Sequence, residues 1–95
     1  MSAIGHKLRK TQGGLMFFCP ACNTAHGITL GRNGWQWNNS EDKPTFTPSL
    51  YSVAGDLKCH CFVRDGRIEY LSDSTHEFRG KSVDMPAWPF SGEIA

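Results

Sequence analysis

Long hydrophobic runs are missing from this 95-residue sequence. None of its apolar stretches approaches the roughly 18 residues that a helix needs to cross a bilayer. Residues 1–10 also lack the apolar segment and the cleavage site of a secretory signal peptide. We therefore expect a cytoplasmic protein, and in a reducing compartment cysteines more often bind metal than form disulfides.

An excess of charge of one sign is also missing. The chain carries ten Lys and Arg side chains against nine Asp and Glu, which gives a formal net charge of +1. Nucleic-acid-binding domains usually show a basic patch or stripe instead. The composition therefore predicts neither a nucleic-acid nor a membrane partner.

Helical periodicity is the third absence, because glycine, proline and asparagine interrupt every window long enough for three helical turns. The sequence therefore predicts an all-β fold, a small antiparallel sheet. A chain of 95 residues has room for one domain. We expect a flexible N-terminal tail over residues 1–12 and a single β domain over residues 13–95.

The clearest strand signal is a hairpin with Asp65-Gly66 at its turn, because this dipeptide favours a two-residue turn between strands. Its predicted strands cover residues 57–64 and 67–71. Residues 15–18 and 27–30 predict a second hairpin. Residues 45–51 are predicted to be extended, and Pro44 and Pro48 make this an edge strand or an irregular segment.

Four cysteines supply a candidate metal site. Cys19 and Cys22 have the two-residue spacing of a zinc knuckle. Cys59 and Cys61 lie on one face of a strand, so four thiolates would close a tetrahedral, zinc-ribbon-like site. Two alternatives remain for the fourth ligand, since His26 or His76 can replace Cys61 and leave it a free thiol. Iron with four thiolates is the chemical alternative to Zn²⁺.

A second group of polar residues has the chemistry of a hydrolase. Strand alternation turns His60 away from the metal face, and Ser49 lies on an extended segment that can pair beside the hairpin. A serine becomes a nucleophile when a base such as histidine lies within about 3 Å. Asp73 or Glu69 can orient the imidazole.

Six motifs follow one another along the chain: FCPACNTAHGI at residues 18–28, Trp35 with Trp37, PTFTPSL at residues 44–50, Cys59 with His60, FVRDGRI at residues 62–68, and DSTH at residues 73–76. In this order they resemble a small phage and prophage family that is often mislabelled "ammonia monooxygenase", and the resemblance covers nearly the whole chain, from residue 13 to residue 88. Ammonia monooxygenase is a membrane metalloenzyme, whereas no apolar stretch of this sequence is long enough to predict a membrane-spanning helix.

The chain is also distantly similar to a domain found in bacterial ubiquitin-like conjugation operons, for which a peptidase role is implied. The shared features are the cysteine knuckle, a Pro-Ser-aliphatic segment, and a histidine six residues before the hairpin glycine. This similarity implies that Ser49 is the nucleophile, His60 the base and Asp73 the third member. Cys61 departs from the phage pattern, which favours His26 or His76 as the fourth ligand.

Three functions follow from these patterns. The first is a zinc-stabilised serine peptidase acting on a ubiquitin-like or glycine-rich tail. The second is a non-catalytic module that presents aromatic side chains to a host or virion protein: Trp35, Trp37, Trp88 and Phe90. The third is a catalytic zinc site with Glu69 as base, which the absence of a two-histidine metalloprotease motif disfavours.

Overall fold

A computed structural model describes residues 2–90. Met1 and residues 91–95, the ends of the predicted tail and domain, lie outside the described residues. Within residues 2–90 the chain forms nine strands and no helix, so no helix there could span a membrane. The strands are β1 (Ser2–Ile4), β2 (Leu8–Thr11), β3 (Gly14–Cys19), β4 (Thr24–Thr29), β5 (Gln36–Trp37), β6 (Phe46–Ala54), β7 (Leu57–Arg64), β8 (Arg67–Tyr70) and β9 (Ser82–Asp84).

The first sheet has the order β1-β2-β3-β4, with every neighbouring pair antiparallel. Its β3–β4 hairpin carries the Cys19 knuckle at its tip, where Asn23 adopts a φ of 54°. Asparagine tolerates this left-handed conformation better than most residues. The hairpin predicted around the first cysteine pair is therefore confirmed.

The N-terminal segment is a correction to the sequence analysis. Residues 2–11 do not form a flexible tail, because residues 2–4 and 8–11 form β1 and β2 of the first sheet and residues 5–7 are the turn between them. Leu8 pairs with Phe17, and both side chains are fully buried. Burial of Leu8 against the core stabilises a strand that is too short to show a clear alternation in sequence.

The second sheet has the order β5-β6-β7-β8-β9, also antiparallel. Asp65 and Gly66 join β7 to β8 with φ values of 50° and 76°. Two consecutive positive φ values are those of a type I′ turn, whose twist matches that of the strands. The predicted Asp-Gly hairpin is confirmed.

One hydrophobic core joins the two sheets. Phe17 of β3 lies 6.0 Å from Phe46 of β6, measured between ring centroids. The C-terminal aromatic segment crosses back to the first sheet, where the backbone N–H of Trp88 donates to the backbone carbonyl of His6 at 2.7 Å. The all-β antiparallel fold is therefore as predicted, although the structure has two sheets where we expected one.

Candidate active site and metal centre

Ser49 lies at an irregularity in β6. Phe46 pairs with Val63, but Leu50 pairs with Cys61, so residues 47–49 face the single residue 62 on β7. Pro48, which follows a cis peptide bond, has no N–H to donate to a ladder. Extra residues of this kind re-aim the side chains beside them. The half-buried Ser49 ends this bulge, next to the point where regular pairing with β7 resumes.

The structure brings Ser49, His60 and Asp73 into one hydrogen-bonded chain. Ser49 Oγ lies 3.1 Å from His60 Nε2. His60 Nδ1 lies 2.9 Å from Asp73 Oδ2 and 3.1 Å from Oδ1. With its proton on Nδ1, the imidazole donates to the carboxylate and leaves Nε2 free to accept the serine proton. Glu69, the other acid considered, lies 3.3 Å from Arg64 Nη1 instead.

A loop after β8 positions Asp73. His60 N–H donates to Ser74 Oγ at 2.9 Å, and Ser74 Oγ donates back to the His60 carbonyl at 3.1 Å. The Leu71 N–H also donates to the His60 carbonyl, at 2.8 Å. The loop is therefore held against β7 at the histidine itself, which brings the neighbouring Asp73 to Nδ1. Sequence reasoning missed Ser74, and the only signal was its place directly after the candidate acid.

Tyr51 covers one side of the histidine. It lies opposite His60 in the β6–β7 pair, and the two rings meet edge to face with centroids 5.3 Å apart. Its side chain is 56 % exposed, so the contact lies at the surface. A packed aromatic neighbour restricts the rotation of an imidazole.

The candidate metal ligands lie together where the two sheets meet. The donor atoms of four residues lie within 4.8 Å of one another: Cys19, Cys22, His26 and Cys59. The sulfurs of Cys19 and Cys59 are 4.0 Å apart. Two sulfurs bound to one tetrahedral ion at about 2.3 Å would lie roughly 3.8 Å apart, so these residues fit a single ion after a small contraction.

Two further observations support a metal ion there. His26 Nε2 is buried and has no hydrogen-bond partner among the described residues. All four cysteines are reduced rather than joined in disulfides. Buried polar atoms are rarely left unpaired in native proteins, and a metal ion would use such a histidine. The residues fit a metal centre whose ion the structure does not identify.

The fourth donor differs from the first choice of the sequence analysis. Cys61 does share a strand face with Cys59, but it pairs with Leu50 and Tyr70 inside the apolar core and is 1 % exposed. It lies about 6.7 Å further along the strand, outside the group of donors. His26, one of the two alternatives, takes the position instead.

The register of the β3–β4 hairpin explains the choice of His26. His26 pairs with Phe17, which lies two residues before Cys19 on β3. Residues two apart on a strand share a face, and paired residues point to the same side, so His26 and Cys19 both face the core side of the sheet. The signal in the sequence was its spacing of four residues from Cys22. His76, the other alternative, packs edge to face on Tyr70 at 4.7 Å, away from the donors.

The thiols of this cluster are hard to ionise without a cation. The hydrogen bond with Cys59 and burial raise the pKa of Cys19 to about 11, and burial and the neighbouring Cys19 raise the pKa of Cys22 to about 11. The Tyr70 hydroxyl lies 3.1 Å from Cys19 Sγ, and burial raises its pKa too. At neutral pH these thiols become thiolates only when a metal ion replaces their protons.

The metal cluster and the serine–histidine pair are neighbours in the chain. Cys59 and His60 are consecutive on β7 and point to opposite faces of it. The cluster connects Cys59 to the β3–β4 hairpin of the other sheet. An ion bound there would therefore fix the strand that carries the histidine.

The aromatic residues of the interaction-module hypothesis do not form an exposed patch. Trp35 and Trp37 are half-buried against the core, and Trp88 is 8 % exposed. Phe90 is exposed at 47 % but packs on Phe18 and Trp88. These contacts give the four aromatic residues a structural explanation.

Comparison with known proteins adds a family to this geometry. No curated protein and no solved structure gives a significant match. The family model that matches is described as "Bacterial ubiquitination-like system serine protease (BubE)", and it covers residues 3–71, more than half of the chain. The matched region contains Ser49, His60 and the four metal-cluster residues, and it ends two residues before Asp73. This chain belongs to the BubE family of bacterial ubiquitination-like system serine proteases.

Proposed function

We propose that this protein is a zinc-stabilised serine peptidase that cleaves after the C-terminal tail of a ubiquitin-like protein. The observation that carries the proposal is the hydrogen-bonded chain from Ser49 Oγ through His60 to Asp73, at 3.1 Å and 2.9 Å. This is the arrangement of nucleophile, base and orienting acid that acyl transfer requires.

In the proposed reaction Ser49 Oγ attacks the carbonyl carbon of the scissile bond while its proton passes to His60 Nε2. The C–N bond then breaks, and His60 returns that proton to the leaving amine. Water attacks the resulting ester on Ser49 and loses a proton to His60. The C–Oγ bond then breaks, His60 returns this proton to Ser49 Oγ, and the tail leaves as a carboxylic acid. Asp73 holds the imidazole and stabilises its charged form throughout.

Zinc is the metal that we propose for the cluster. Three cysteines and one histidine form a donor set that Zn²⁺ favours, and four protein ligands leave no open position for substrate. Its contribution would be structural, since bound metal supplies folding free energy to a small domain. The chemistry stays with the side chains on the other face of β7.

The substrate class rests on the family, whose description places it in a ubiquitination-like system. A peptidase of such a system has two possible targets: a modifier precursor with residues beyond the tail, and a finished conjugate. Both present the same feature, a carbonyl at the end of an extended tail.

The test uses the metal-loaded protein and a linear fusion of a bacterial ubiquitin-like modifier to a reporter protein. We expect a single cleavage at the end of the modifier tail, located by mass spectrometry. Ser49→Ala and His60→Ala should each lower the cleavage rate by about 10³-fold or more.

Ser82→Ala and His6→Ala are the matched controls, because both residues are exposed and lie outside the triad. They should cleave at the rate of the unmodified protein. Cleavage that persists in Ser49→Ala would remove the serine mechanism, and a correctly folded protein that cleaves no modifier fusion would remove the proposed substrate.

A further inference from the structure

A cleft of about 250 Å³ lies between the two sheets, and its lining includes Leu50, the residue after Ser49. Its lining includes three consecutive residues from each of two strands together with one tryptophan: Ala25, His26 and Gly27 of β4, Leu50, Tyr51 and Ser52 of β6, and Trp35. Neighbouring side chains on a strand point to opposite faces. Three consecutive residues of a strand can line the same cleft only along the backbone edge of that strand. The cleft is therefore bordered by the backbone edges of β4 and β6.

The β6 edge presents unpaired backbone groups. The N–H and the carbonyl of His60 both bond to the loop that follows β8, on the side away from β6. Tyr51 and His60 are therefore a pair without mutual hydrogen bonds, and the Tyr51 N–H and carbonyl point away from β7. β5 pairs with β6 only at Phe46 and Thr47, so it does not reach Tyr51.

The β4 edge is open in the same way. The backbone N–H of Leu30 donates to the Gly13 carbonyl on the β3 side. The Thr29 carbonyl instead accepts from the backbone N–H of Trp35, on the side away from β3. Backbone groups alternate along an antiparallel strand, so those of Gly27 and Ala25 point away from β3 as well. In residues 2–90 β4 is the last strand of its sheet.

Trp35 also lines the cleft. Its indole Nε1 is buried and has no hydrogen-bond partner among the described residues. Buried indole N–H groups usually find an acceptor. A carbonyl group of a bound chain would supply one.

We propose that the cleft binds the substrate tail as an added β-strand between β4 and β6. The tail would bond to the backbone of Tyr51 on one side and of Ala25 and Gly27 on the other, and its last residues would reach Ser49. Addition of a strand to an open sheet edge is a general mode of peptide recognition. The assignment of Ser49 as the end of this path rests on the proposed function.

The dimensions of the cleft restrict the bound chain. Its volume is below the roughly 300–1,000 Å³ of pockets for drug-sized ligands. A narrow, extended peptide fits such a space, and glycine or alanine near the scissile bond fits best. Backbone hydrogen bonds would supply most of the affinity, so the outer part of the tail can vary in sequence.

The experiment uses a fluorescein-labelled peptide, Leu-Ala-Leu-Ala-Gly-Gly-Ser, and the Ser49→Ala protein, so that binding is measured without acylation. Fluorescence anisotropy gives the affinity of the peptide and of versions methylated at one backbone nitrogen at a time. Successive N–H groups of a strand held between two edges point to alternate sides. Methylation of each of two consecutive central nitrogens should therefore weaken binding about tenfold or more.

A pair of protein variants tests the β4 edge from the other direction. Gly27→Pro removes an N–H that points into the cleft, while Gly27→Ala keeps it. A methyl group at Gly27 would lie 3.7 Å from Met16 Cγ, an ordinary contact. Gly27→Ala should bind the peptide within about threefold of Ser49→Ala alone, whereas Gly27→Pro should lose about tenfold. Metal content and circular dichroism establish that both variants fold.

Four results would overturn the proposal. The first is that the peptide does not bind at millimolar concentration. The second is that N-methylation at any position leaves the affinity unchanged, and the third is that N-methylation at every second position leaves it unchanged, which would indicate pairing with only one strand edge. The fourth is a dimer of this chain in which the Tyr51 and Gly27 amides are protected without peptide. Peptide binding is measured in a variant that lacks the nucleophile, so it does not depend on the proposed serine chemistry. That chemistry is tested separately, and an unreactive Ser49 would contradict it without affecting the binding result.

Discussion

At the scale of single residues, Asp73 decides which nitrogen of His60 carries the proton. Its carboxylate accepts from Nδ1 at 2.9 Å, which leaves Nε2 to accept from Ser49. Asp73→Asn can donate an amide proton to Nδ1, which favours the tautomer that has no acceptor for the serine. We expect the rate of Ser49 acylation by a fluorophosphonate to fall about 10²- to 10⁴-fold.

The rate is measured by intact mass spectrometry over time. Glu69→Gln is the matched control, because Glu69 bonds to Arg64 rather than to His60, and its rate should not change. Equal rates in Asp73→Asn and the unmodified protein would show that the carboxylate does not orient the histidine.

The metal ligands yield a second prediction. Cys59→Ala and His26→Ala each remove a donor from the cluster, while Cys61→Ala removes a buried thiol outside it. We expect about one Zn²⁺ per chain in Cys61→Ala and at least a hundredfold weaker zinc binding in the other two. Plasma mass spectrometry and a competition titration with a chelator measure both quantities. If His26→Ala binds zinc fully and Cys61→Ala does not, the ligands are the four cysteines and His26 is not one of them.

These two sites show what could be predicted from the sequence at this scale. The facing of Cys59 and His60 to opposite sides of β7 follows from strand alternation alone, and so was predictable. The choice of His26 over Cys61 was not, because it depends on the pairing of His26 with Phe17 across a hairpin. The choice of Asp73 over Glu69 depends on a loop held by Ser74.

At the scale of strands and loops, the local signals were sufficient where a turn has strict backbone requirements. Asp65-Gly66 fixed the β7–β8 hairpin, and Pro48 marked the break in β6. The bulge of residues 47–49 that brings Ser49 to His60 could not be predicted, since a shift in register is set by the partner strand. β1 and β2 were missed because three or four residues show too little alternation.

The segment after β8 yields a prediction about pH. Burial lowers the pKa of His76 below its ordinary value of 6.5. The unfolded chain therefore takes up this proton near pH 6.5, and the folded chain only at a lower pH. The stability associated with neutral His76 is complete above about pH 6.5 and is lost as the pH falls through and below that value.

Urea unfolding at several values between about pH 7.5 and about pH 5.5, with Zn²⁺ in excess, measures this dependence. As the pH is lowered, we expect the free energy of unfolding to fall less steeply in the His76→Asn variant than in the unmodified protein. Its Oδ1 can replace the Nδ1 that accepts from Phe78 N–H. Identical slopes in the two proteins would show that His76 does not contribute.

At the scale of the whole molecule, the candidate metal cluster lies where the two sheets meet, beside the apolar core and the contact between the Tyr70 hydroxyl and Cys19 Sγ. Cys19, Cys22 and His26 come from the β3–β4 hairpin, and Cys59 comes from β7. Domains of this size have thin cores, and a bound metal can supply much of their stability. The proposed zinc would therefore hold His60 and its strand in place relative to the first sheet.

Proton release tests this picture of the cluster. In the metal-free, reduced protein the thiols of Cys19 and Cys22 have pKa values of about 11, so they are protonated at pH 7. Binding of Zn²⁺ to three cysteines should therefore release about three protons. Calorimetric titrations in two buffers of different ionisation enthalpy give this number. Release of one proton or fewer would mean that the cysteines do not bind as thiolates.

The most direct measurement of the central claim is the mass of the zinc-loaded protein after reaction with a fluorophosphonate. We predict one adduct per chain, located on Ser49 by peptide mapping, formed at a rate that falls by at least about 10³-fold in His60→Ala while zinc content and folding are unchanged. An unreactive Ser49 in the folded, zinc-bound protein, or an adduct that forms equally fast without His60, would contradict the account.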